Sequence, residues 1–268
     1  MDKRIPPTVA PLLDHYVKQL KSNFPEPLIE GVYLYGSLGL NAFNEKKSDI
    51  DFITILKKEL DKKEIKQLKS IHHRLNSYKL GNRMEGSYIY IEDLGKNDSE
   101  LKPYPYCVNG KIKVGKWDVN EITWWSLEND GINIYGTPFS ELNLVSTWDR
   151  IMANMEYNMK HYWINKTKHK VLFLFDDMVE FCILTVSRIL ITLETKTILS
   201  KDRALEKTQK LLPQQWELIL MEGKRLRSNS NSSSFYSSRI SRANECIRFV
   251  LFTNDFCNKY YFNKGFNQ

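Results

Sequence analysis

The sequence predicts two domains: an α/β N-terminal domain built on a small mixed sheet, then an all-α C-terminal helical bundle. Three observations predict this. Short β-branched or aromatic runs bounded by glycine or polar turns alternate with helical periodicity over roughly the first 92 residues. From Thr147 onward the apolar residues recur at helical spacing. The hydrophobic fraction is 42% and the charged fraction 26%, enough apolar area to offset chain entropy over 268 residues and to exclude a wholly disordered chain.

Each element has its own signal. Residues 8 to 22 place Leu12, Leu13, Tyr16, Val17 and Leu20 on one helical face, and Pro25 and Pro27 then break the pattern. Residues 31 to 35, GVYLY, are a continuous apolar run between glycines and predict a buried strand. Residues 50 to 56, IDFITIL, are rich in β-branched residues and predict a second strand. Residues 59 to 78 carry Leu60, Ile65, Leu68, Ile71 and Leu75 at helical spacing, and residues 84 to 91 predict a third strand. Helix, strand, strand, helix, strand is an α/β order. Residues 93 to 117 read as loop, 119 to 131 as a helix ended by Gly131, and 134 to 142 as an extended exit. Helices follow over 147 to 164, 171 to 195, 201 to 211, 213 to 227 and 239 to 260, with a Ser/Asn-rich flexible link at 227 to 239. The expected domains are residues 1–145 and 146–268.

Several function classes are excluded. The longest apolar stretch, Val179 to Leu193, carries Glu180, Ser187 and Arg188, short of the roughly 20 apolar residues a membrane span needs. The first residues hold Pro6, Pro7 and Pro11 and no apolar core of a secretory signal. The four cysteines include no CxxC pair, so a reducing cytoplasmic compartment is expected, with Cys182 as a buried thiol. Net charge is +7, but Lys57, Lys58, Lys62, Lys63, Lys66 and Lys69 read as one solvated face interleaved with acids and do not demand a polyanionic partner.

The segment that carries chemistry is YGSLGLNAFNEKKSDIDF, residues 35 to 52. Gly36 and Ser37 follow the first strand, and Ser48, Asp49, Ile50 and Asp51 open the second. Strand side chains alternate, so Asp49 and Asp51 point the same way. Two carboxylates on one face repel unless a cation sits between them. Such a pair facing a Gly-Ser turn suits one or two hard divalent ions that also hold phosphate oxygens. The small residues let backbone approach a phosphate, and Ser37 can donate to it.

A strand, Gly-Ser, a spacer and Asp-x-Asp resembles the signature of the DNA-polymerase-β-type nucleotidyltransferase superfamily. The wider layout resembles the aminoglycoside adenylyltransferases that modify spectinomycin and streptomycin. GVYLYGS, KSDIDF, RMEGSYIYI, GKIKVGKWD, INIYGTPFSEL and residues 183 to 213 match their segments in order, spanning about residues 28 to 227. The resemblance implies a nucleotidyltransferase domain followed by a helical domain, and transfer of AMP from ATP to an antibiotic hydroxyl with two magnesium ions. It implies that Asp49 and Asp51 bind metal, that Ser37 and Ser48 hold the triphosphate, and that Glu85 is the general base. Arg188 and Lys201 would reach the nucleotide phosphates. Arg188 has apolar flanks and needs an anionic partner. A lysine at a helix N-terminus such as Lys201 is electrostatically unfavourable without one. Trp117 is a candidate stacking wall for the drug and Asp177, or its neighbour Asp176, an acidic drug contact. The expected partners are ATP and a small cationic antibiotic, with no nucleic acid and no membrane, acting as a monomer.

The chain departs from that pattern in places. The spacer before Asp49 is one residue longer, Asn41-Ala42 replaces a glycine pair, and Arg227 stands where the family has a nucleotide-contacting Tyr. The Trp and Asp used for streptomycin have no counterparts, which predicts a preference for spectinomycin. Transfer to a lincosamide, protein or tRNA acceptor, and a non-catalytic nucleotide-binding regulator, are the competing readings.

Overall fold

The structure is a computed structural model, and it describes residues 2–228 and 232–263. The chain divides into two compact units, Met1–Thr147 and Trp148–Gln268.

The first unit is a six-stranded mixed sheet with helices on both faces. Helix α1 (Ala10–Asn23) precedes strand β1 (Ile29–Leu34), the single turn α2 (Gly36–Gly39) and strand β2 (Ile50–Leu56). Helix α3 (Lys62–Leu75) and strand β3 (Met84–Tyr90) follow, then β4 (Tyr104–Val108), β5 (Lys111–Gly115), α4 (Glu121–Asp130) and β6 (Ile132–Gly136). The sheet order is β5-β4-β3-β2-β1-β6. Only β2 and β3 run parallel; the other four pairs are antiparallel. Alternation along the strands separates two cores. Val32, Leu34, Phe52, Met84 and Tyr88 pack with α1 and α3. Tyr33, Ile53, Ile55, Ile89 and Tyr104 pack with Trp124 and Leu127 of α4.

Local chemistry sets the helix ends. Asp61 and Glu64 form a reciprocal capping box, Glu64 N–H to Asp61 Oδ1 at 2.7 Å and Asp61 N–H to Glu64 Oε2 at 2.8 Å. α3 therefore starts at Lys62, and Lys57 and Lys58 lie before it.

In the first unit two expectations need correction. The stretch read as loop contains the β4–β5 hairpin. Its turn is Asn109-Gly110, with φ of 50° and 66°, the two-residue geometry that matches sheet twist. The prolines masked this. Pro105 is tolerated because β4 meets β3 only through Cys107 and Tyr106, beyond which Pro105 faces β5 alone. The extended exit contains β6, an edge strand paired antiparallel to β1.

The second unit is helical: α5 (Trp148–Tyr157), a π-helical turn over Asn158–Trp163, α6 (Ile164–Thr167), α7 (Asp176–Thr195), α8 (Lys201–Leu211), α9 (Glu217–Arg227) and α10 (Arg239–Tyr260). α7 is the central helix, burying Val179, Cys182, Ile183, Val186 and Leu190 and packing against α8, α9 and α10. A buried ion cluster joins three segments. Arg242 of α10 donates to Glu222 of α9 at 3.1 Å and to Asp176 at 2.6 Å, and Arg225 donates to Glu222 at 2.8 Å. This cluster corrects the reading of 227 to 239 as a free link. Ser234 Oγ and the Phe235 amide both donate to Glu222, at 2.8 and 3.2 Å, which fastens that segment to α9. Residues 229–231 of the link lie outside the described residues. All four cysteines are buried and unpaired. Among the described residues no helix is long and apolar enough to cross a membrane.

Candidate active site

The turn after β1 brings backbone against a carboxylate. Tyr35 N–H donates to Asp51 O at 3.1 Å, which ties the end of β1 to the start of β2. Gly36 then turns with φ +61°, and a Cβ placed on it would lie 2.1 Å from Asp51 Oδ2. Only glycine satisfies both conditions. Ser37 Oγ is buried and finds no hydrogen-bond partner among the described residues. A buried orphaned hydroxyl, one residue after the glycine that lies against Asp51, fits a group that brings its own acceptors, as a metal-bound phosphate does. Asp49 is solvent-exposed and Asp51 half-buried. Ser48 is buried and closes the loop: its Oγ accepts from the Asn44 amide at 3.0 Å, and its own amide donates to Asn44 O at 2.7 Å.

The parallel register of β2 and β3 sets Asp51 directly beside Glu85. Both lie on the face that carries Ile53, Ser87 and Ile89. Burial pushes the Glu85 carboxyl above its ordinary range, the Asp49 charge adds to this, and Asp118 adds less; a hydrogen bond from the Asn109 amide opposes it. That amide belongs to the β4–β5 turn. The turn is anchored by Gly110 N–H to Met84 O at 3.3 Å and by Asn76 Nδ2 to Gly110 O at 3.3 Å. Gly110 is itself required, because a Cβ there would lie 2.1 Å from Asn76 Oδ1. The missed hairpin is thus what holds Glu85, and its Asn-Gly pair was the signal that could have found it.

An aromatic wall stands on the same face of the sheet. Tyr106 pairs with Ser87 across β3 and β4. The Trp117 ring stacks on Tyr106, centroids 5.4 Å apart and planes 2° from parallel, and remains 37% exposed. Tyr104 fixes this loop. Its hydroxyl accepts from the Trp117 amide at 2.7 Å, donates to Asp98 Oδ1 at 2.5 Å, and also contacts the Trp117 carbonyl. Sequence reasoning singled out Trp117 and missed Tyr104, Tyr106 and Asp118; the Tyr-x-Tyr alternation at 104 to 106 was the available signal.

The remaining predicted site residues lie in the helical unit. Arg188 is half-buried on α7 between Ser187 and Ile189, and Lys201 opens α8 behind its Ser200 cap. Asp177 is exposed in the first turn of α7, whereas Asp176 is taken up by Arg242. Arg227 lies 3.7 Å from Glu180 and 3.8 Å from Asp202.

Comparison with known proteins follows the same division. Residues 13–123 match the nucleotidyltransferase domain family, and residues 163–252 match the C-terminal domain family of aminoglycoside adenylyltransferases. The chain thus carries a nucleotidyltransferase domain followed by the C-terminal domain of aminoglycoside adenylyltransferases. It is an enzyme of the nucleotidyltransferase class. No curated protein matches this nucleotidyltransferase in sequence. Among solved structures it is similar to the spectinomycin adenyltransferase AAD(9) from Enterococcus faecialis with ATP and spectinomycin. The TM-score is 0.66 and the identity 16%, over 92% of this chain and 99% of that one. A toxin-antitoxin structure with AMP-PNP aligns at a TM-score of 0.30 and 14% identity, over 57% of this chain and 95% of that one.

Proposed function

We propose that this nucleotidyltransferase transfers AMP from ATP to a hydroxyl of spectinomycin, with magnesium, and releases pyrophosphate. The observation that carries the reading is the register that sets Asp51 beside Glu85, with the Asp49 charge near enough to act on Glu85, Gly36 backbone against Asp51, and the partnerless Ser37 hydroxyl next in the chain. The AAD(9) structure, which holds ATP and spectinomycin, has the same fold.

In this reading Glu85 takes the proton of the acceptor hydroxyl. The acceptor oxygen bonds to the α-phosphorus, the bond from that phosphorus to the bridging oxygen of the β-phosphate breaks, and pyrophosphate leaves. A base raised toward neutrality by burial is suited to this; general-base catalysis contributes roughly 10²–10⁴-fold. Asp49 and Asp51 are the ligands for magnesium, and two such ions, when bound, supply the charge that neutralises the triphosphate and the leaving group. Ser37 donates to a phosphate oxygen, and Ser48 shapes the loop that carries Asp49. Residues 1–145 carry the transfer chemistry, and residues 146–268 contribute Arg188 and Lys201 to the phosphates and Asp177 to the cationic drug. Trp117 is the drug's aromatic wall.

The test is pyrophosphate release from ATP and magnesium by the purified protein, with spectinomycin and with streptomycin. Release with spectinomycin and little with streptomycin is expected. Asp49→Asn and Asp51→Asn should each abolish it with the fold intact, since neither side chain belongs to a core. No release with either drug refutes the acceptor assignment, and near-normal turnover of either Asn variant refutes the metal assignment.

A further inference from the structure

Asp118 follows Trp117 in the chain and carries a charge that no ion pair among the described residues matches. The residue is exposed as a whole, its carboxylate has no ion-pair partner among the described residues, and it accepts one hydrogen bond, from Asn120 Nδ2 at 2.9 Å. The neighbouring acid, Asp98, is engaged differently. It accepts from the Tyr104 hydroxyl, its amide donates to Val119 O at 2.8 Å, and Lys116 lies near enough to act on it. Asp118 stands close enough to Glu85 and Tyr35 to disfavour charge on both; burial first, and Asp98 less, disfavour charge on Asp118, and the Asn120 hydrogen bond opposes them.

The loop that presents Asp118 is locked on either side. Trp117 is fixed by Tyr104 and by its stack on Tyr106, and Asn120 caps α4 through the Ile122 amide at 2.8 Å. A carboxylate without an ion pair, held partly out of water near two other acids and next in the chain to a partly exposed indole, is an arrangement that an organic cation would stabilise. The indole offers its negative face to the cation and the carboxylate offers its charge and acceptors.

We propose that Asp118 is a specificity-determining residue of the acceptor site, taking an ammonium group of the acceptor against the Trp117 ring and so delivering a cationic aminocyclitol to Glu85. This inference rests on the function proposed above. It adds that the N-terminal unit itself selects for positive charge in the acceptor, independently of Asp177.

The test uses the full chain and the variant Asp118→Asn, which keeps the side-chain shape and the acceptor for Asn120. Steady-state pyrophosphate release is measured with spectinomycin and with its neutral derivative in which both methylamino nitrogens are acetylated. The expected result is a rise of about 10- to 100-fold in the KM for spectinomycin, the loss of one charged hydrogen bond, with the KM for ATP unchanged. The neutral derivative should be a poor acceptor for the wild type and no worse for Asp118→Asn. An unchanged KM for spectinomycin, or equal losses on the charged and neutral acceptors, overturns the inference while leaving the function standing. A wild-type protein that releases no pyrophosphate with spectinomycin overturns both.

Discussion

Replacing Gly36 by alanine tests the site through one added carbon. The residue sits at φ +61°, where an L side chain costs about 1–2 kcal/mol. The new Cβ would stand 2.1 Å from Asp51 Oδ2, well inside the 3.0 Å below which real contacts essentially never fall. Asp51 must therefore move by about 1 Å, or β1 and β2 must part at the Tyr35–Asp51 hydrogen bond. The strain alone should lower the melting temperature by a few degrees, at about 2–4 °C per kcal/mol for a domain of this size. The displacement should act far more strongly on turnover, because misplacing a reacting group by about 1 Å costs roughly 10²-fold. Thermal denaturation and pyrophosphate release, measured on the same preparation, separate the two effects. Gly115→Ala is the control: its Cβ meets only the Tyr106 side chain, Cε1 at 3.4 Å and the hydroxyl oxygen at 4.0 Å, both ordinary contacts. A Gly36→Ala protein that keeps near wild-type turnover would refute the placement of Asp51 at the reacting phosphate.

The helical unit offers two further tests. Burial alone would raise the Glu222 carboxyl, but hydrogen bonds from Arg225, Ser234, the Phe235 amide and Arg242 outweigh it and hold the group at about 2, below its ordinary 4.5. A depressed carboxyl stabilises the folded state above about pH 4.5 and loses that contribution as pH falls toward 2. Urea unfolding across that window should show it, and Glu222→Gln should remove it, at a cost of about 1–3 kcal/mol at neutral pH, because Arg242 keeps Asp176 but loses its fully buried second anion. A Gln variant of unchanged stability and unchanged acid response would show the cluster to be energetically idle. Arg188→Ala should weaken ATP binding, read by calorimetry, more than it lowers the melting temperature. The opposite pattern would make Arg188 a structural residue.

Several elements and the motif were legible in the sequence, because both kinds of signal are local. Strand β2 and helices α8 and α10 fall where β-branched runs and helical periodicity place them. Asp49 and Asp51 share a face because strands alternate, and Gly36-Ser37 must follow β1 because the residues are adjacent in the chain. Their resemblance to a known signature was legible for the same reason.

What pairs across the chain was decided by the tertiary structure. No spacing rule relates Asp51 to Glu85; the parallel register of β2 and β3 does, and it depends on how α3 crosses over between them. The β4–β5 hairpin was hidden by its prolines, yet its turn amide restrains Glu85 and its Tyr104 and Tyr106 fix Trp117. The Ser/Asn-rich segment has the composition of a free linker, and composition cannot reveal that Glu222, buried on the preceding helix, has acceptors that Ser234 and Phe235 satisfy. Local preferences act over a few residues, whereas register, facing and the pairing of buried charges are set by contacts tens of residues apart, such as Arg242 with Asp176 66 positions earlier.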